Sequence, residues 1–250
     1  MHTPAGFDPS RPFAIVVFLH GWTGCVRALV EGDEVPCTEG DSPRQGWGLG
    51  RVHDAANANS IFVVPQLRYL ARSGAAGRYR EATTFRALLD AALRLAHDGD
   101  VDRAPSPDRA ASIVLVAHSA GFETALAILE AGDLAERIDS VLLLDALYRG
   151  SEGFAHWVAS HETRRMLSLY TGDQSTYQES HRLARLVRGR LGDEAVAERP
   201  GDLHAALRER RRVVVGSTRI PHGAIPRLSL PELLQAWGLP PRGSRPMLEP

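Results

Sequence analysis

Ser112-Ile-Val-Leu-Val-Ala-His-Ser-Ala-Gly121 is the stretch that decides how this chain folds. Ile113 to Val116 is a short, wholly apolar run rich in β-branched residues, which suits a strand buried on both faces. It stops abruptly in small residues around one serine. A helix pattern follows at once, with Ala125, Ile128 and Leu129 at helical spacing and Gly132 placed to cap it. A strand that turns directly into a helix around a serine holds that hydroxyl above the sheet, the layout of a nucleophile elbow. Strand and helix pass close together at such a turn, so the positions two before and two after the serine must be small. Here they are Ala117 and Gly121, giving A-H-S-A-G with alanine where glycine is usual. Ser119 is therefore the candidate nucleophile. The pentapeptide alone also fits the strand-to-helix turns of other α/β proteins.

Working outward toward the N-terminus, Phe13-Ala-Ile-Val-Val-Phe-Leu19 is another continuous apolar run, followed by His20-Gly21-Trp22-Thr23-Gly24. An elbow serine needs two backbone N–H groups aimed at the developing oxyanion. One comes from the residue after the nucleophile and the other from the loop after an early strand. Ala120 is placed to supply the first, and Trp22 or Gly21 the second. His20, His118 and Trp47 are read as substrate-binding residues around that point.

Toward the C-terminus, Arg212-Val-Val-Val-Gly-Ser-Thr-Arg-Ile-Pro-His222-Gly223 reads as a last buried strand and a loop carrying a histidine. Such a loop can bring an imidazole to the serine, so His222 is the candidate general base. His181 and His204 lie in charged, helix-like segments and read as solvated faces; His156 and His161 also fall on a helix pattern. Two carboxylates compete as the group that orients the imidazole. Asp145 ends the strand Val141-Leu-Leu-Leu-Asp145 without a spacer, and Asp173 follows the strand 166–171 after Gly172. Asp145 is preferred because it is held more rigidly, with Asp173 as the alternative acid. The one not used is expected to cap the segment behind it.

These three motifs, in this order and at these spacings, resemble the α/β-hydrolase superfamily over about residues 12–238. The opening from Phe7 to Gly21, with its Pro-rich lead-in, and Val63-Val-Pro-Gln66 also look like secreted-type esterases and polyester depolymerases. The resemblance implies an α/β-hydrolase fold and a Ser-His-Asp hydrolase of esters, less often of amides, acting without a cofactor. Rival readings are a serine amidase or peptidase, an acyltransferase on the same fold, and a non-catalytic binding protein.

The rest of the chain alternates between strand and helix patterns. Strands are expected at 13–19, 61–65, 112–117, 140–145, 166–171 and 212–217, with helices around 85–96, after the elbow, at 175–191 and at 230–237. That alternation predicts a mostly parallel central sheet with helices on both faces. The 250 residues are read as a single domain, with residues 1–11 and 240–250 expected to be flexible. The segment 146–165 has room for about one helix, so no cap domain is expected and the site should be open. The longest loop, 23–59, should form one wall and 148–157 another.

The net charge is −1, which gives no pull toward nucleic acid or an anionic membrane, and no apolar run is long enough to insert into one. The expected partner is a small-molecule or polymeric ester. All 29 basic residues are arginine, so no lysine-based chemistry is available. Residues 1–11 lack the pattern of a signal peptide, which points to the cytoplasm, or to secretion if a leader has been removed. Cys25 and Cys37 are the only cysteines. They either form a 12-residue disulfide loop or stay as thiols. No Cys/His spacing resembles a zinc site, so no metal is expected.

Overall fold

A computed structural model describes residues 1–97, 104–198 and 202–243. Among these residues seven strands form one parallel sheet: β1 (Ala14–Leu19), β2 (Ser60–Val63), β3 (Ser112–His118), β4 (Ile138–Leu144), β5 (Arg165–Tyr170), β6 (Val196–Glu198) and β7 (Val213–Ser217). Their spatial order is β2-β1-β3-β4-β5-β7-β6. The helices are α1 (Val26–Val30), α2 (Leu49–Ala55), α3 (Ala82–Leu95), α4 (Phe122–Ala131), α5 (Ser151–Ala159), α6 (Gln174–Leu191), α7 (Leu203–Arg208) and α8 (Ile225–Trp237).

The continuous apolar strands make sense because both faces of the sheet are covered. In β1, Ile15, Val17 and Leu19 pack on one side with Leu89 of α3, Ile128 of α4, Phe154 of α5 and Leu183 of α6. Val16 and Phe18 pack on the other with Leu49 of α2, Leu207 of α7 and Leu230 of α8. Strand alternation thus feeds two cores from one run of residues. Gly132 ends α4 with φ 83°, a backbone angle that glycine adopts without strain.

The chain moves outward from β1 to β2 and then returns to place β3 on the other side of β1. This reversal opens a crevice between the loops that follow β1 and β3. Open parallel sheets bind ligands at such a switch point, beyond the carboxyl ends of the strands.

The observed elements depart from the sequence expectations in identifiable places. β6 is an additional edge strand of three residues, too short to show alternation. The 23–59 loop contains α1 and α2, and α7 is also new; each is two turns or less, so periodicity had little to register. α8 begins at Ile225 rather than residue 230, with a proline in its first turn where the missing N–H costs nothing. A single helix, α5, lies between β4 and β5.

Residues expected to be loose at the two ends have fixed partners. His2 pairs antiparallel with Phe62, and the Phe7 ring meets Phe13 edge-on at 5.8 Å. The Asn59 N–H donates to the Pro240 carbonyl at 2.7 Å, and the Arg242 N–H to Asn57 at 3.1 Å. Residues 244–250 of the expected flexible tail lie outside the described residues. Cys25 and Cys37 form a disulfide with their Cα atoms 6.0 Å apart, closing the loop that holds α1. No helix among the described residues is long and apolar enough to cross a membrane.

Candidate active site

Ser119 leaves β3 with φ 54°, a left-handed angle uncommon for a residue with a side chain. The surrounding backbone enforces it. Ala117 pairs with Leu19 of β1 in a fully buried position where one methyl fits. A Cβ on Gly121 would lie 2.2 Å from the Leu19 carbonyl oxygen, so only glycine lets α4 start this close to β1. Gly21 is equally constrained, since a Cβ there would come within 2.6 Å of the Ser119 Cβ and 3.0 Å of its Oγ. The loop after β1 is thereby held directly against Ser119.

Asp145 follows β4 at φ 45°, fixed by its N–H donating to the Leu169 carbonyl at 2.6 Å. Its carboxylate accepts from His222 Nδ1 at 2.7 Å, from the Thr171 N–H at 3.0 Å, and from the hydroxyls of Thr171 and Thr176, each at 2.8 Å. Burial acts to raise its pKa. The hydrogen bonds from His222, Thr171 and Thr176 together outweigh burial and hold the carboxyl down at about 2. The acid is 1% exposed, whereas the His222 side chain is 41% exposed, so solvent and ligands reach the imidazole but not its carboxylate.

Asp173 does not join this cluster on His222. It caps α6, accepting from the Ser175 N–H at 2.8 Å and the Thr176 N–H at 3.4 Å. That cap also sets Thr176, whose hydroxyl bonds Asp145.

His118 and His222 lie ring against ring with centroids 4.5 Å apart, and His118 Nε2 donates to the His222 carbonyl at 3.0 Å. Burial first, and then the facing His222, depress the His118 pKa to about 3, so the ring is neutral. A neighbour of the elbow serine was expected to line the site, and His118 does; it also buttresses the loop that presents His222. Trp47 meets the His118 ring edge-on at 5.6 Å.

His20, read as substrate-binding, lines the cavity with Ser119, and its ring also holds two loops together. Nδ1 bonds the Gly21 carbonyl at 2.8 Å, and Nε2 accepts from the Leu67 N–H at 3.1 Å and lies 3.2 Å from Gln66 Nε2. His20 therefore clamps the loop after β2 to the loop after β1, and burial lowers its pKa. Sequence spacing could not have paired His20 with Gln66, which lies 46 residues away.

Tyr148 is a further contact that the sequence reading left unassigned. Its hydroxyl is close enough to the Ser119 side chain to influence it, and burial raises its pKa. Thr171 and Thr176 were missed for the same reason, because each meets Asp145 across a turn between elements.

Ser119, His118, His222, Gly21, Trp22 and Trp47 all line one cavity of about 550 Å³. Trp22 is 56% exposed at its rim and Trp47 is partly buried inside. A larger cavity of about 650 Å³ is lined by Arg137, Arg164, Arg165 and Trp237 at the opposite ends of the strands. Only the smaller one lies at the switch point and contains the serine and the imidazole.

No family model matches the chain, and no curated protein matches it. Among solved structures, the feruloyl esterase module of Clostridium thermocellum, a serine-to-alanine variant in complex with sinapinate, superposes with a TM-score of 0.54 at 9% identity. The match covers 97% of this chain and 84% of the module. An uncharacterized protein from Bacillus cereus matches with a TM-score of 0.45 at 7% identity over 85% of this chain, which spans about half (54%) of that protein. The parallel order β2-β1-β3-β4-β5-β7-β6, with helices on both faces and the superposition on the esterase module, gives this chain the α/β-hydrolase fold.

Proposed function

We propose that this protein is a serine hydrolase of carboxylic esters, with Ser119 as nucleophile, His222 as general base and Asp145 as the orienting acid. The observation that carries the proposal is the 2.7 Å bond from His222 Nδ1 to Asp145, with that imidazole lining the same cavity as the strained Ser119. With Nδ1–H donated to Asp145, Nε2 is the basic nitrogen of the ring.

In the proposed reaction Ser119 Oγ attacks the ester carbonyl while His222 Nε2 takes its proton. The N–H of Ala120 and that of Gly21 or Trp22 receive the oxyanion; a donor of this kind is worth about 3–4 kcal/mol. The intermediate collapses, the ester C–O bond breaks, and the imidazolium protonates the departing alcohol. Water then attacks the acyl-enzyme, His222 removes its proton, and the carboxylic acid leaves with Ser119 restored. Trp22 and Trp47 offer flat apolar faces to the acyl group, and the esterase module is a neighbour that acts on an aromatic ester. A feruloyl ester beside an acetyl ester is therefore the informative substrate pair.

Steady-state ester hydrolysis by three variants tests the assignment. Ser119→Ala is expected to lower kcat by about 10⁴–10⁶-fold. Asp145→Asn is expected to lower it by about 10³–10⁴-fold, while Asp173→Asn, which retains an N-cap of similar strength for α6, stays within a few-fold of the parent. Full activity of Ser119→Ala, or a larger loss at Asp173 than at Asp145, contradicts the assignment.

A further inference from the structure

At the β2 edge of the sheet, away from the serine–histidine cluster, three side chains converge. His2 comes from the lead-in paired with Phe62, and His53 and Asp54 come from the end of α2. Each places one donor atom within 4.8 Å of the other two.

Among the described residues, His2 Nε2, His53 Nδ1 and Asp54 Oδ1 are buried without a hydrogen-bond partner. Leaving such atoms unsatisfied costs about 1–3 kcal/mol each, so three in one place call for an explanation. The neighbouring charges supply ion pairs but no hydrogen bond to these three atoms. His2 Nε2 lies 3.1 Å from Asp54 Oδ2, but misaligned for a hydrogen bond, and Arg242 Nη2 stops 3.5 Å from Asp54 Oδ1.

The surroundings orient these groups as they would metal ligands. His53 is fully buried; its Nε2 bonds Ser60 Oγ at 2.8 Å, and its ring stacks on Phe62 at 5.0 Å. Metal-bound histidines are commonly fixed in this way, through the ring nitrogen that does not face the ion. Arg242 Nη2 donates to the Asp54 backbone carbonyl at 3.4 Å, which holds the end of α2 in place.

We propose that His2, His53 and Asp54 form a site for one divalent transition-metal ion that ties the N-terminal lead-in to α2. Two imidazoles and one carboxylate, with no thiolate, match Zn²⁺ rather than Mg²⁺ or Ca²⁺. Ligands at about 2.0–2.2 Å from a tetrahedral zinc sit about 3.4 Å from one another, so the widest gap in the trio, at most 4.8 Å, closes by no more than about 1.4 Å on binding. His2 and Asp54 are partly exposed and have room for that movement. Water would complete the tetrahedron.

The experiment uses the full chain without an affinity tag, stripped with a chelator and titrated with Zn²⁺ by calorimetry, with melting followed in parallel. One ion per chain and a raised Tm are expected, with no Tm shift from Mg²⁺. His2→Gln keeps the pairing with Phe62, which runs through backbone atoms. It is expected to weaken Zn²⁺ binding at least about tenfold and abolish the Tm shift, with ester hydrolysis unchanged. His53→Gln should behave likewise. Absence of stoichiometric binding by the parent, equal affinity in His2→Gln, or an equal shift from Mg²⁺ overturns the proposal.

Discussion

His118 shows how one residue ties the site to the stability of the fold. Its ring is buried against His222 and titrates at about 3, far below the ordinary 6.5. Unfolded chains take up a proton near 6.5 that the folded protein refuses. The stability this residue contributes is therefore complete above 6.5 and is lost progressively as pH falls toward 3, at up to about 1.4 kcal/mol per pH unit. His118→Gln keeps an amide donor for the His222 carbonyl and removes the titration. Urea unfolding at pH 7 and pH 5 should show a smaller drop for the variant than for the parent; equal drops contradict the account. At this scale, the sequence could place three candidates at one sheet edge, because Ser119 and Asp145 directly follow buried strands and His222 sits in the loop after β7. Tyr148, Thr171 and Thr176 could not be placed in this way, because their contacts depend on how separate turns meet. The clamp made by His20 was not legible for the same reason, since its partners come from the turn after β2.

The turn from β3 into α4 is where element geometry sets the chemistry. Gly121 lies against the Leu19 carbonyl, and that contact fixes how closely the helix approaches β1. Gly121→Ala forces a Cβ into backbone that cannot move aside, and the expected cost is about 1–3 kcal/mol or more. Gly189 in α6 has open space where its Cβ would be, so Gly189→Ala should instead stabilise by up to about 1 kcal/mol through helix propensity. Thermal unfolding of the two variants should move Tm in opposite directions; a neutral Gly121→Ala would remove the steric argument for the elbow. The long elements could be read from periodicity, since the apolar stripes of α3 and α6 extend over many turns. β6, α1, α2 and α7 could not, because they are held by packing and by the Cys25–Cys37 bridge rather than by local pattern.

For the whole molecule, the site is a consequence of topology. The return of the chain from β2 across β1 to β3 brings the loops carrying Gly21 and Ser119 together, and the later strands deliver Asp145 and His222 to the same edge. The alternation of strands and helices was enough to anticipate this sheet. It could not reveal that the lead-in and residues 240–242 are pinned to the segment around β2, because those bonds join the two ends of the chain. The central claim is that the assembled edge activates a single serine. Treating the folded protein with a fluorophosphonate, followed by intact mass and peptide mapping, tests it most directly. The account predicts one adduct per chain, on Ser119, that fails to form after His222→Ala. An unlabelled protein, or a label on another residue with Ser119 unmodified, would contradict it.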